Sequence, residues 1–296
     1  MRGIELRENL AVAVALDELG GVRARAERPL AGDPAGAALG AVEDVAAAAA
    51  SGSRLGVAAT NPDSGVAGAV LTSLKSRYTI ATVCDRAAPS GTAAAIAEAW
   101  VGAARGVSDV VYLAVADHTI AGIVRGGKPV VGAHGRAACV AWFALNPVER
   151  EDYRKTGCLE AEAAASGIVR RLIWRIKTGD VSEIQEVVNG DLTAITLDHV
   201  LDGARRKDGL SMSVMRDTAR YLGMAAANLV LVTDPEMLVL GGIMASAADV
   251  LHDLVRIEIG RRLPEPMMKA LTIVIAALGP DAAAIGAARL PAVAPR

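Results

Sequence analysis

A chain of 296 residues is too long for one small core and has room for two units of ordinary domain size, roughly 100 to 200 residues each. With 52% hydrophobic and 22% charged residues and a mean hydropathy of +0.35 it reads as globular, and no apolar run approaches the ~20 residues that cross a bilayer. A formal charge of -2 and a pI near 6.1 exclude a global basic field that would hold nucleic acid, and the first residues carry neither a signal-peptide apolar region nor a cleavage site, so a cytoplasmic protein is expected.

Residues 3–6 and 10–16 are apolar and alternating, and Glu18-Leu19-Gly20-Gly21 supplies a turn before 22–26, which predicts a meander of antiparallel strands. Residues 35–50 are Ala-rich with few breakers and read as a helix, followed by the loop Ser51-Gly52-Ser53 and an apolar strand over 55–59. Thr60-Asn61-Pro62-Asp63-Ser64-Gly65 is a turn by composition, 71–77 looks helical, 79–84 is a β-branched strand and 92–104 a strong helix. The alternation makes this first lobe α/β, and Gly106 marks its end. A second α/β lobe then begins. Residues 110–115 form a buried strand, 122–125 and 129–131 a hairpin around Gly126-Gly127, and a long irregular stretch runs from 132 to 157. Helical patterns cover 159–177, 197–207 and 211–232, strands cover 237–240 and 271–276, and Gly279-Pro280-Asp281 turns the chain into a small-residue helix over 282–290. The expected domains are 1–106 and 107–280, with the C-terminal helix, within 281–296, packing back on the first.

Cys84, Cys139 and Cys158 are odd in number and widely spaced, which fits neither a disulfide framework nor a complete C-x-x-C metal site; reduced thiols are expected. Arg205-Arg206-Lys207 reads as a solvated helix end rather than a DNA contact.

Several segments carry a resemblance through their order and spacing: Gly3-Ile4-Glu5-Leu6, Asn61-Pro62-Asp63-Ser64-Gly65-Val66, Ala93-Ala94-Ala95-Ile96-Ala97-Glu98-Ala99-Trp100, Gly132-Ala133-His134-Gly135, Gly157-Cys158-Leu159-Glu160, Asp234-Pro235-Glu236 with Gly241-Gly242, and Asp281-Ala282 to Gly286. In these the chain resembles the ROK family of repressors, open reading frames and sugar kinases, within the actin-like and hexokinase-like group. Asn9-Leu10-Ala11-Val12-Ala13-Val14 looks more like the family's transcriptional repressors than its kinases. The resemblance implies an α/β fold of two ribonuclease H-like lobes around a central cleft, often in homodimers.

Phosphoryl transfer rests on positioning and on stabilising negative charge, so the groups that the resemblance demands can be sought one by one. The family's first phosphate loop, Asp-x-Gly-Gly-Thr, falls on Glu5, Arg7, Glu8 and Asn9, which puts bulky charged residues where glycine amides approach phosphate. The second, Gly-Thr-Gly-x-Gly, falls on Ala116-Asp117-His118-Thr119-Ile120. Repulsion between like unit charges ~4 Å apart is about 4 kcal/mol at an effective dielectric near 20, so Glu8 and Asp117 disfavour magnesium-bound ATP. The base of an Asn-Asp pair at a strand end falls on Pro89-Ser90 without gaps, or on Cys84-Asp85 with an insertion; Asp85 is then the candidate base, or else a solvated loop or cap residue. For the zinc set, Cys139 takes a Glu position, Trp142 the His position, and Glu151 and Tyr153 two Cys positions, leaving Cys158 as a single thiol that cannot hold structural zinc and reads as a small buried residue. Glu160 matches a glutamate that accepts a bond from a sugar hydroxyl, and His134 replaces an Asn near the sugar, as a ligand donor or a loop histidine. Gly241 and Gly242, beside the nucleotide base in the family, are kept, although close packing alone also demands glycine there.

The function expected from these losses is that of a non-catalytic member, a pseudokinase that senses a sugar, a sugar phosphate or another small ligand and acts through regulation or interaction. No metal and no cofactor is expected. The alternative is an ATP-dependent sugar kinase of glucokinase type using Asp85 and Glu160. The family's repressors carry a winged helix-turn-helix ahead of the first strand, where this sequence starts directly, so no DNA-binding domain is expected within it; the partner that the resemblance implies is a second copy of the chain.

Overall fold

Apolar alternation turns residues 2–16 into a tight hairpin: β1 (Arg2–Leu6) and β2 (Leu10–Leu16) pair antiparallel, and β3 (Val22–Pro29) continues the meander. The computed structural model describes residues 1–49 and 54–293, so the loop expected at 51–53 lies outside the described residues. Asp33 caps α1 (Pro34–Asp44), accepting from the Gly36 amide at 2.9 Å, and a single 3₁₀ turn replaces the rest of the expected helix up to residue 49. β4 (Leu55–Ala59) pairs parallel with β1, Ser64 caps α2 (Gly65–Lys75), and β5 (Ile80–Ala81) and β6 (Ala88–Pro89) both lie beside β4. The first sheet has the order β3-β2-β1-β4-β5, with β6 on β4.

After α3 (Ser90–Val101) a second sheet forms from β7 (Val110–Val115), β8 (Thr119–Arg125) and β9 (Lys128–Pro129). The irregular stretch that follows contains α4 (Glu151–Thr156). The helix expected over 159–177 is broken into α5 (Cys158–Ala163) and α6 (Ala165–Lys177), because Ala164 is extended. Three of the backbone groups freed by the break find partners: Ala165 N–H donates to Ala116 O at 2.9 Å, and Arg170 and Arg171 donate to Ala161 O and Glu162 O at 2.6 and 2.5 Å. Then come α7 (Ile184–Val187), α8 (Leu197–Arg205), the long α9 (Gly209–Thr233), β10 (Met237–Gly242), α10 (Ile243–Ser246), α11 (Ala248–Gly260), α12 (Glu265–Ala270), β11 (Thr272–Ile275) and α13 (Ala282–Val293). The second sheet runs β11-β10-β7-β8-β9, parallel except for the β8 and β9 hairpin.

α3 and α13 pack on each other, α13 against β1 and β4 and α3 against β7 and β8, so this pair of small-residue helices joins the two sheets. The close approach explains the composition. A Cβ on Gly56 would sit 1.7 Å from Ala287 O, and one on Gly286 would sit 1.7 Å from Ala93 O. Glu98 of α3, fully buried, locks the arrangement by accepting the amides of Ala103 at 2.7 Å, Ala277 at 3.1 Å and Leu278 at 3.0 Å. Among the described residues no helix is long and apolar enough to cross a membrane.

Candidate functional site

Two tight turns, one from each sheet, face a cleft of about 730 Å³. The β1–β2 turn closes through the Arg7 amide on Leu10 O at 2.8 Å; Arg7 Nε then donates to Glu5, itself 4% exposed, at 2.9 Å, and Nη2 donates to Pro280 O at 2.6 Å. The β7–β8 turn closes through the Ala116 amide on His118 O at 3.0 Å. From it, the Thr119 amide and hydroxyl donate to Glu160 Oε2 at 2.6 and 2.7 Å, while His118 Nδ1 meets Glu160 Oε1 at 2.6 Å. On its other edge His118 Nε2 lies 3.4 Å from the Glu8 carboxylate, so one imidazole bridges the two turns.

The electrostatics follow from these contacts. The Glu160 carboxylate raises the pKa of His118; burial opposes the shift and Glu8 adds to it. Burial alone would raise Glu160, but the bonds from His118 and Thr119 outweigh it and hold the carboxyl below its ordinary range. Of the two acids expected to repel an anion, Glu8 and Asp117, Glu8 faces the His118 ring, which softens its bare charge, while Arg7 pairs with Glu5.

The residues singled out in the sequence separate into three places. Glu160 faces the β7–β8 turn with both oxygens engaged by protein donors. Asp85 and His134 are exposed on neighbouring loops away from it in sequence: Cys84 and Asp85 form the tip of a turn with φ of +49° and +61° between the bridged pair Val83 and Arg86, and Gly135 packs on Cys84. Asp63 ties these loops together through ion pairs with Arg86 and, at 2.9 Å, with Arg136. The strand end before α3 carries Pro89 and Ser90, as the ungapped count placed them, and the Ser90 hydroxyl is 1% exposed. Gly242 lines the cleft with φ +63°, where a Cβ would come within 1.9 Å of Val115 O, whereas a Cβ on Gly241 would meet the Tyr112 hydroxyl at 2.5 Å.

A tetrahedral zinc ion needs thiolates and imidazoles, and the corresponding side chains do not fit one. Trp142 and Glu151 are exposed, the Tyr153 phenol donates to Glu162 at 2.5 Å, and Cys158 is buried beside Tyr153. Cys139 is exposed by surface area although neighbouring atoms partly enclose its thiol, and that enclosure, with Asp63 and Glu160, pushes its pKa up against Arg136. Among the described residues no group of three His, Cys, Asp or Glu could hold a metal ion. The partnership of His118 and Thr119 with Glu160 was not legible beforehand; the only trace is a polar His-Thr pair in a turn otherwise expected to be glycine-rich.

Two sheets joined by a central helix pair, with facing turns over a cleft, are the architecture of sugar kinases of the actin and hexokinase type. The chain superimposes on a ROK family glucokinase from Streptomyces griseus solved with glucose and AMPPNP, at a TM-score of 0.79 and 21% identity over 98% of both chains. It also superimposes on a ROK family transcriptional regulator, a homologue of the E. coli MLC protein, at 0.78 and 19% identity, covering 98% of this chain and 77% of that one. The model of the ROK family matches residues 42–293, and the chain belongs to that family. In sequence it is 31% identical over 199 residues to the glucokinase of Halalkalibacterium halodurans, covering 65% of this chain and 59% of that enzyme. It is 28% identical over 158 residues to the Escherichia coli DNA-binding transcriptional dual regulator NagC, covering 53% of this chain and 37% of that protein. The chain therefore aligns with less than two thirds of the length of either.

Proposed function

We propose that this ROK protein is a pseudokinase, a cytoplasmic sensor of a sugar or other small polar ligand that acts by regulation or interaction rather than phosphoryl transfer. The observation that carries it is the occupied state of the places where chemistry would occur. Arg7 stands in the first turn, bonded to Glu5 and Pro280 O, and three protein contacts engage both oxygens of Glu160. The amides of Arg7 and Ala116 are already bonded within their own turns, to Leu10 O and His118 O, and two acids, Glu8 and Asp117, stand on the cleft wall. On this reading the protein needs neither zinc nor magnesium-bound ATP and works as a homodimer.

The second reading, an ATP-dependent sugar kinase using Asp85 and Glu160, draws on the relative in Halalkalibacterium halodurans named a glucokinase. A coupled assay with ATP over a panel of hexoses and N-acetylhexosamines separates the two. The pseudokinase gives no turnover above background with any sugar. Turnover abolished by Asp85→Asn would overturn it in favour of the kinase.

A further inference from the structure

A second cavity, also about 730 Å³, shares no wall residue with the cleft. Its walls come from facing helices. On α6, Arg170, Arg171, Trp174 and Arg175 follow the one-turn spacing of a single helix face, and on α9, Asp217, Arg220, Tyr221 and Met224 do the same. Arg150 and Arg262 close the ends, so six arginines face two wall carboxylates, Glu162 and Asp217.

The arginines are held rather than free. Glu162, 4% exposed, accepts from Arg150 at 3.0 Å and Arg171 at 2.5 Å; Asp180 holds Arg175 at 2.6 Å, Asp217 holds Arg220 at 2.6 Å, and Glu258 holds Arg262 at 2.6 Å. Asp152 takes Arg150 and Arg170 at 3.3 and 2.9 Å. Each guanidinium carries five N–H groups, and bonds within the described chain engage no more than three on any of these six. Anchored forks with spare donors are the arrangement that recognises phosphate bidentately, because the ordering cost is already met by the protein. Trp174 lines the same cavity with 63% of its surface exposed, a flat apolar face. The cavity volume lies in the ordinary small-molecule range, and the chain's net charge of -2 offers no extended basic track for nucleic acid.

We propose that this α6–α9 cavity is a second ligand site, taking a small phosphorylated compound whose phosphoryl group bonds to the arginine forks while its ring or carbon body lies against Trp174. The site is independent of the cleft and stands whether or not the cleft is catalytic.

Isothermal titration of the full chain with inorganic pyrophosphate and with glucose 6-phosphate, using glucose as the uncharged control, tests it. Both anions should bind saturably, weaken with added salt and quench Trp174 fluorescence, with the quench absent in Trp174→Phe. The double variant Arg170→Gln, Arg220→Gln removes two exposed forks and should weaken both anions by about tenfold or more, the loss of a charge-assisted contact; because Arg170 also holds the α5–α6 break through Ala161 O, Arg220→Gln alone, with an unchanged Tm, should weaken them in the same direction. Asp217→Asn, which removes a wall carboxylate, should tighten them, a gain that a merely structural salt-bridge network would not produce. Arg7→Gln, in the cleft, should change nothing. The proposal fails if neither anion binds, if binding responds to Arg7→Gln but not to the double variant, or if a glutamate-rich peptide binds where the phosphates do not, which would assign the surface to an acidic protein segment.

Discussion

Replacing Glu160 by Ala distinguishes a residue kept for a ligand from one kept for the fold. Its carboxylate accepts two bonds from Thr119, at 2.6 and 2.7 Å, and faces His118 at 2.6 Å, and Thr119 is only 6% exposed. Hydrogen bonds to a charged group contribute about 1.5–3 kcal/mol each, and a buried N–H left unpaired costs about 1–3 kcal/mol. The three do not add in full, since they share one acceptor group and the His118 bond is more than a third exposed and screened by solvent. A loss of about 3 kcal/mol is therefore expected, which lowers Tm by about 5 °C for a chain of this length. Urea unfolding followed by circular dichroism at neutral pH reads the loss directly, and Glu160→Gln, which keeps the size and one acceptor, should lose about half as much. Unchanged stability in Glu160→Ala, together with lost binding of a sugar that the wild type binds, would refute the internal role.

The bridge formed by His118 makes stability depend on pH in a definite direction. Its raised pKa means that its contribution is complete below the ordinary histidine value and is lost as the pH climbs through the raised one, whereas the lowered pKa of Glu160 makes that share disappear as the pH falls. The stability gap between wild type and His118→Gln should thus be widest between about pH 4.5 and 6.5 and shrink in alkali, measured by urea melts in stepped buffers; a gap that grows towards alkaline pH would sink the assignment. Glu98→Ala strips the buried acceptor from three amides and should cost about 4 kcal/mol in the same melts, whereas a loss below 1 kcal/mol would mean that water replaces the carboxylate. Gly286→Ala should cost about 3 kcal/mol or block folding, because its Cβ would meet the Ala93 carbonyl, while Gly65→Ala, with nothing within 4 Å, should be close to neutral by thermal melting.

Much of the fold follows from local pattern, and the departures have local causes. The β1–β2 hairpin, β4, β7, α9 and β10 form where alternation or helical spacing is strong, and α13 is the helix expected after Gly279-Pro280-Asp281. The broken helix at Ala164 was not legible, because no Gly or Pro sits at the break; the kink is held from outside by Ala116 O, Arg170 and Arg171. The strand expected over 79–84 shrank to Ile80–Ala81 because Cys84 and Asp85 take up positive φ in a tight turn, and the short β6 after it carried no pattern at all. Helices α11 and α12 were missed, although α11 spaces Leu251, Val255 and Ile259 on a buried stripe four residues apart. At the site, the charged and bulky residues of the two turns were readable from residue types alone. Their partners were not, since Arg7 reaches Pro280, and His118 reaches Glu160, across sequence separations of 273 and 42 residues.

The bonds already made at the two turns beside the cleft constrain which molecules can displace them. Glu160 gives up His118 and Thr119 without penalty only to a ligand that brings donors of its own, because an ionised carboxylate accepts bonds and offers none. A polyhydroxy compound carries such donors on every carbon, and its insertion would exchange one satisfied set for another while parting His118 from Glu8 and so separating the two turns. A phosphate group carries acceptors alone: it would leave Glu160 unpaired and stand beside Glu8 and Asp117, so the same displacement that is nearly neutral for a sugar is uphill for a nucleotide triphosphate. A ligand shifts a conformational balance only by its differential affinity for the two states, and on the proposed reading that difference would come from hydroxyl donors meeting the Glu160 carboxylate.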